Sequence, residues 1–348
     1  TGGTKVGELV IGPAGQFGIG GVTYGASGQV LTSGGGSAAP SWTTISADPE
    51  VKLTASEAIT AADAILVKSN GQAEKVSGVT EGVGSLTYMS MTMEVLDVVF
   101  DPDNNKIAII FDNPADSGYI SGKVGTISGN SISWGSTVRI NAYANDNNRI
   151  TACYNTSVDR IFAVTRNHGY QGNLRASTIL ISGTSLSETA DRDETAHSDN
   201  SVSPSCCYNP TGNEVAVVYT HNNNSGRVKI MLWTQGASSV TAGGVYTVSG
   251  TSAGNYPDVD HNTTDNYYVV TYRDSNNAPT CRLITSSGNG SSPTAPGGTH
   301  HVFNSAMGNY TGPRICYHPP SNKFLIATGA SSQSNGLVGN VLNPNKSG

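Results

Sequence analysis

The hydrophobic positions of this chain recur in short alternating runs, each broken by a polar turn. Five segments carry the pattern: VVFDPDNNKIAIIF, ACYNTSVDRIFAVT, CCYNPTGNEVAVVY, VDHNTTDNYYVVTY and ICYHPPSNKFLIAT. Each reads as a strand, a turn rich in Asn, Asp, Pro and Ser, then an apolar strand. The first strand of each ends on Phe100, Tyr154, Tyr208, His261 or Tyr317, anchors spaced 54, 54, 53 and 56 residues apart. Seven residues after each anchor stand Ile107, Ile161, Val215, Tyr268 and Phe324, and nine after stand Ile109, Ala163, Val217, Val270 and Ile326. These positions share one face of a strand. The residues between them (Ala108, Phe162, Ala216, Val269, Leu325) are apolar too, so both faces of the strand are expected to be buried in a stack of sheets.

A repeat of about 54 residues holds four short strands and their connections, which predicts an all-β, five-bladed β-propeller. A β-helix needs shorter coils, and a string of separate sandwiches needs units large enough to bury a core of their own. Blades are expected to begin near residues 95, 149, 202, 256 and 312. Outer strands are expected at 138–143, 245–248 and 301–303. Only 31 residues follow Tyr317, too few to complete the fifth blade. Residues 86–92 stand at the matching offset before Phe100 and are expected to supply its outer strand, closing the ring.

Composition agrees with strands and turns. Glycine contributes 42 of 348 residues and charged residues only 13%, which starves long helices of their usual surface. Hydrophobic residues at 36% suffice for a packed core. The net charge is −6 and no basic run occurs, so no nucleic-acid partner is expected. No run of eighteen apolar residues is present, and no membrane insertion by a helix is expected. The chain starts at Thr1 rather than Met, as a processed product or a piece of a longer one would. Cys153, Cys207 and Cys316 share one register in three repeats, so all five cysteines, with Cys206 and Cys281, are read as unpaired and mostly buried.

Residues 1–50 differ in kind, with dense glycine and isolated hydrophobics. One chain cannot bury Val10, Ile11, Phe17, Ile19, Val30 and Leu31 in such a segment; identical chains wound about one axis can. Within it, GASGQVLTSGGGSAAPSW at 25–42 resembles a short module of bacteriophage fibre and other appended virion proteins. Gly25, Gly28, Gln29, Val30, Leu31, Ser33, Pro40 and Trp42 carry that resemblance. Residues 53–76 resemble a second, strand-rich fibre module, with the Ile59–Ala64 strand and a hairpin turn at Asn70-Gly71. The expected organisation is a shaft at 1–50, a small β module at 51–83 and the propeller at 84–348. The resemblance implies a structural virion fibre protein, of tail or head, whose partners are copies of itself, other virion proteins and a host-surface glycan, and together with the unburied hydrophobics it predicts a homotrimer with those six side chains turned toward neighbouring chains. The rival readings are a secreted carbohydrate-active enzyme and a bead-like surface filament.

No cofactor is expected. Asp101, Asp103 and Asn105 have the alternate spacing of a calcium loop, but no Gly or Glu follows where such a loop needs them, and a polar hairpin turn is the preferred reading. The acidic run at 191–194 reads as a solvated loop. Asp97, Asp258 and Asp260 fall on first strands and are expected to line or rim the axis. Trp134, Tyr170, Tyr256 and Tyr310 stand among Asn, Ser and Gly, as do Tyr119 and Trp233. Flat apolar faces beside amides suit glycan contact, and the first four are the candidate contacts.

Overall fold

The computed structural model describes residues 9–11, 17–19, 25–34, 40–44, 54–56, 58–59, 65–75, 93, 96–144, 150–167, 172–194, 201–251, 253–296, 301–302, 312–330 and 336–342. The chain divides into two compact units, Thr1–Gly82 and Val83–Gly348.

The first unit is built of small sheets. β1 (Leu9–Ile11) pairs with β2 (Phe17–Ile19), and β3 (Gln29–Thr32) with β4 (Ser41–Thr44). β5 (Thr54–Ala55), β6 (Ile65–Val67) and β7 (Gln72–Lys75) form a third sheet, β6 and β7 joined through Asn70-Gly71 with Gly71 at φ +80°. The glycine-rich motif explains the β3–β4 hairpin. Trp42 lies opposite Leu31, and a Cβ on Gly25 would fall 2.7 Å from the Trp42 ring. Gly25 also holds φ +71°, so any side chain there meets both strain and the indole. The Gln29 side chain closes the turn by accepting the Ala26 N–H at 2.8 Å. Of the six hydrophobics expected to face neighbouring chains, Ile11, Val30 and Leu31 are exposed. The side chains of Val10, Phe17 and Ile19 fall outside the described residues.

The second unit is a succession of antiparallel sheets. The first holds β8 (Leu96–Asp101), β9 (Lys106–Asn113), β10 (Tyr119–Ser128), β11 (Ser131–Trp134) and β12 (Val138–Ala144). The second runs β13 (Thr151–Asn155), β14 (Arg160–Asn167), β15 (Asn173–Ser182) and β16 (Ser185–Glu194). The third runs β17 (Ser201–Asn209), β18 (Glu214–His221), β19 (Arg227–Gly236) and β20 (Ser239–Thr247). The fourth runs β21 (Gly254–Asn262), β22 (Tyr267–Asp274), β23 (Pro279–Ile284) and β24 (His301–Val302). The fifth holds β25 (Arg314–His318), β26 (Lys323–Ala330) and β27 (Gly336–Leu342).

Alternation along the second strand of each sheet puts apolar groups on both faces. Phe162, Val164, Val215 and Val217 share a core with Trp233 between the second and third sheets, whereas Ala216 and Val218 turn toward Val259 and Tyr268 of the fourth. The seven- and nine-residue positions after the anchors are therefore buried, apart from the half-buried Ile107.

Four expectations need correction, and a fifth, the outer strand at 86–92, lies outside the described residues. The first sheet has five strands because β10 is long: its start pairs with β12 and its end with β11. The fifth sheet has three strands among the described residues, and 86–92 lie outside them. Leu325 is half exposed where its equivalents are buried, and Cys316 is exposed rather than packed. The acidic run 191–194 is no loop. It ends β16, where Asp191 and Asp193 pair with Arg175, a cation only 7% exposed on β15. The carboxylates neutralise a guanidinium that the sheet takes out of water.

Candidate functional site

The first strands of the five sheets, β8, β13, β17, β21 and β25, line one cavity of about 400 Å³. Asp97, Asp258 and Asp260 all lie in its wall, as the register requires. The cavity is organised by the residue three positions before each anchor: Asp97, Thr151, Ser205, Asp258 and Arg314. Each reaches toward the neighbouring sheet. Asp97 Oδ2 accepts the Ala152 N–H at 2.8 Å, and Thr151 Oγ1 accepts the Cys206 N–H at 3.1 Å. Ser205 donates its hydroxyl to Asp258 Oδ1 at 2.5 Å, and Asp258 Oδ2 accepts the Ile315 N–H at 3.1 Å. Arg314 lies 3.8 Å from Asp258, and its charge also acts on Asp97 of the first sheet. The polar series thus links the first strands of successive sheets, from the first to the fifth.

Asp260 adds a second tie, accepting the Tyr317 N–H at 2.7 Å and the His261 N–H at 2.8 Å. Burial pushes the carboxyls of Asp97 and Asp260 above the ordinary carboxylate range, against the pull of the N–H groups they accept. Each folded carboxyl therefore binds its proton at a higher pH than its unfolded counterpart. The folded state binds more protons in that window, so these groups favour folding progressively as pH falls through it. Asp260→Asn is expected to flatten this part of the curve of stability against pH, read as thermal midpoints between pH 7 and 4. An unchanged curve would show that Asp260 does not contribute to it.

A second polar layer sits at the turns after the anchors. Asp101, Asn155, Asn209 and Asn262 follow four of the anchors, and each folds its side chain back onto turn N–H groups. The anchor tyrosines then reach the preceding sheet: Tyr154 to Asp103, Tyr208 to Ser157, Tyr317 to Thr264. Carboxylate oxygens of Asp101, Asp103 and Asp159 lie within 4.8 Å of one another. Asn105, the third residue of the expected triplet, occupies a left-handed turn position at φ +51°. The Tyr154 hydroxyl lies within hydrogen-bond reach of carboxylate oxygens of Asp103 and Asp159 and donates its one proton to either, and Asn104 bonds to Asp101 and Asp159. Burial first, then these carboxylates, raises the Tyr154 phenol and keeps it protonated as the donor.

The expected glycan contacts divide. Trp134 is half-buried on β11, its ring against Gly125 of the paired strand, where a Cβ would come within 2.9 Å. Tyr256 holds φ +52°, a left-handed position that costs a bulky residue energy. It packs on Gly312 and lies under the Arg273 guanidinium, 5.0 Å from ring centroid to Cζ. Tyr170 and Tyr310 fall outside the described residues. Of the other two aromatics, Tyr119 stacks with Arg139 at 4.5 Å, whereas Trp233 is fully buried and is no surface contact. Thr151, Ser205 and Arg314 escaped the sequence reading. Their shared register and polar character were the available signal.

No family model matches this sequence, and no curated protein matches it. Solved structures resemble it in fold. AofleA from Arthrobotrys oligospora is 12% identical over 72% of this chain and 69% of its own, with a TM-score of 0.47. A protein of unknown function from Dyadobacter fermentans is 10% identical over 75% of this chain and 81% of its own, with a TM-score of 0.44. An exo-beta-1,3-galactanase from Phanerochaete chrysosporium is 10% identical over 76% of this chain and 59% of its own, with a TM-score of 0.42. At these values the likenesses assign this chain neither a ligand nor an activity.

Proposed function

We propose that the second unit is a five-bladed β-propeller, and that the chain is a non-enzymatic attachment protein of a virion fibre. The glycine-rich first unit joins three copies and seats them among other virion proteins, and the propeller loops contact a host-surface glycan. The bead-like filament keeps the same propeller but joins it to other copies through its own surface.

The observation that carries a binding role over a catalytic one is the use made of the axial carboxylates. Glycoside cleavage needs two carboxyl groups aimed at the sugar, one as acid and one as base or nucleophile. Both oxygens of Asp97 accept main-chain N–H groups, as do both of Asp260. In each, one oxygen takes the N–H of the following residue on its own strand, and the other ties the first sheet to the second or the fourth to the fifth, so both carboxyls are held against the main chain. Recognition is left to the loops between strands, whose Asn and Ser side chains offer amides and hydroxyls.

The full chain should therefore retain particular glycans on an array and release no shorter sugar from them on prolonged incubation. Release of product that Asp97→Asn or Asp260→Asn abolishes would replace this reading with the enzyme. Absence of binding to any glycan would remove the glycan and leave the structural role alone.

A further inference from the structure

Cys153 and Cys206 occupy successive first strands, one position and two positions before their anchors. Side chains one position before the anchor turn forward, toward the next sheet. Asp260 shows this by reaching the Tyr317 N–H, and Cys207 by packing with Val259. Side chains two positions before turn back, as Ala152 does toward the first sheet. Cys153 and Cys206 therefore meet between the second and third sheets, where both pack against one core. The Cys206 main chain is held there by its N–H on Thr151 Oγ1 at 3.1 Å, with the Thr151 hydroxyl 3.4 Å from Cys206 Sγ. One side chain bridges the two strands at this point, a separation that a disulfide also spans. Cys206 lines the cavity and is partly exposed. Both cysteines are free thiols.

We propose that Cys153 and Cys206 are a disulfide-forming pair that locks the second sheet to the third when the chain meets a small-molecule disulfide. Cys206, as thiolate, attacks one sulfur of glutathione disulfide. The S–S bond breaks, Cys206 gains a mixed disulfide, and one glutathione thiolate leaves. Cys153 then loses its proton to solvent and attacks the Cys206 sulfur, expelling the second glutathione. Two protein thiols are oxidised and one disulfide is reduced to two thiols. The hydrogen bond with Cys206, together with burial, holds the Cys153 thiol well above its usual pKa. The second step is accordingly slow near neutrality and quickens with pH. Cys207 is not the partner, since it turns the other way into the core beside Ala216 and Val259.

The test treats the full reduced chain with oxidised glutathione at pH 7 and pH 9, followed by alkylation, digestion without reductant and mass spectrometry. Expected are peptides joined through Cys153 and Cys206, appearing faster at pH 9. The thermal midpoint should rise by about 5–10 °C and fall back with dithiothreitol. Cys207→Ser should still form the bridge, whereas Cys153→Ser should stop at a stable glutathione adduct on Cys206. Full alkylation of both cysteines after the incubation would overturn the proposal. So would a bridge from Cys206 to Cys207, or an equal rate at the two pH values.

Discussion

Trp233→Ala is expected to lower the unfolding free energy of the second unit by roughly 3–5 kcal/mol, the range for emptying a fully buried large aromatic site. Trp233 has no exposed surface and stands on β19, the third strand of its sheet. Its ring meets Phe162 of the second sheet at 6.0 Å between centroids, among Val164, Leu174, Val217 and Met231. These come from two different sheets, so the cavity opens in the layer that holds the sheets together, where neither can move without losing its own strand pairing. The conservative variant separates volume from polarity. The indole Nε1 has no hydrogen-bond partner among the described residues, so Trp233→Phe removes an unpaired donor while leaving a smaller void. It should cost about 1 kcal/mol or less, because the two effects oppose each other. Denaturant titrations of both variants give the comparison, and a loss below about 1 kcal/mol for Trp233→Ala would mean that the sheets repack around the gap.

The strand framework was legible because its signal is local. Period-two alternation around a repeated turn fixes which residues face a neighbour, and the first strands begin at Leu96, Thr151, Ser201, Gly254 and Arg314, close to the expected positions. What the anchors do was not legible, because it depends on the sheet next door. The hydroxyls of Tyr154, Tyr208 and Tyr317 each reach the residue three beyond the preceding anchor, a contact joining residues more than fifty positions apart. Phe100 lacks the hydroxyl and is 52% exposed. Its equivalence in the repeat says nothing of this, since the repeat records the strand and not its neighbour. The run at 191–194 misled for a related reason. Four charged residues in a row look solvated until Arg175, buried on the paired strand, is seen to need two carboxylates. The site on the first strands was half legible. Asp97, Asp258 and Asp260 stood out by charge, while Thr151 and Ser205 do the same bridging work with hydroxyls common throughout this chain.

Removing residues 1–50 is expected to reduce the proposed trimer to monomers while leaving the second unit folded. That unit begins at Val83, well beyond the cut, and the strand pairings from β8 to β27 all lie within it. The segment removed contains the β3–β4 hairpin, which presents Val30 at 39% and Leu31 at 43% exposure, and Ile11 at 64% on β1. A two-stranded hairpin is marginal in water by itself. Covering these side chains with other copies supplies what the hairpin lacks, at roughly 1.5–3 kcal/mol for each fully buried group. Three copies contribute three sets, so the loss on deletion should exceed what any single substitution in the segment produces. Sedimentation of the full and truncated chains reads the assembly, and far-ultraviolet circular dichroism with thermal unfolding reads the sheets. Should the truncated chain sediment as the same oligomer, the contact must lie on the sheets themselves. Leu96, Val98 and Phe100 on β8 and Leu325 and Val341 on the last sheet, each about half exposed or more, are then the apolar groups to replace with serine, and the filament becomes the better account of the chain.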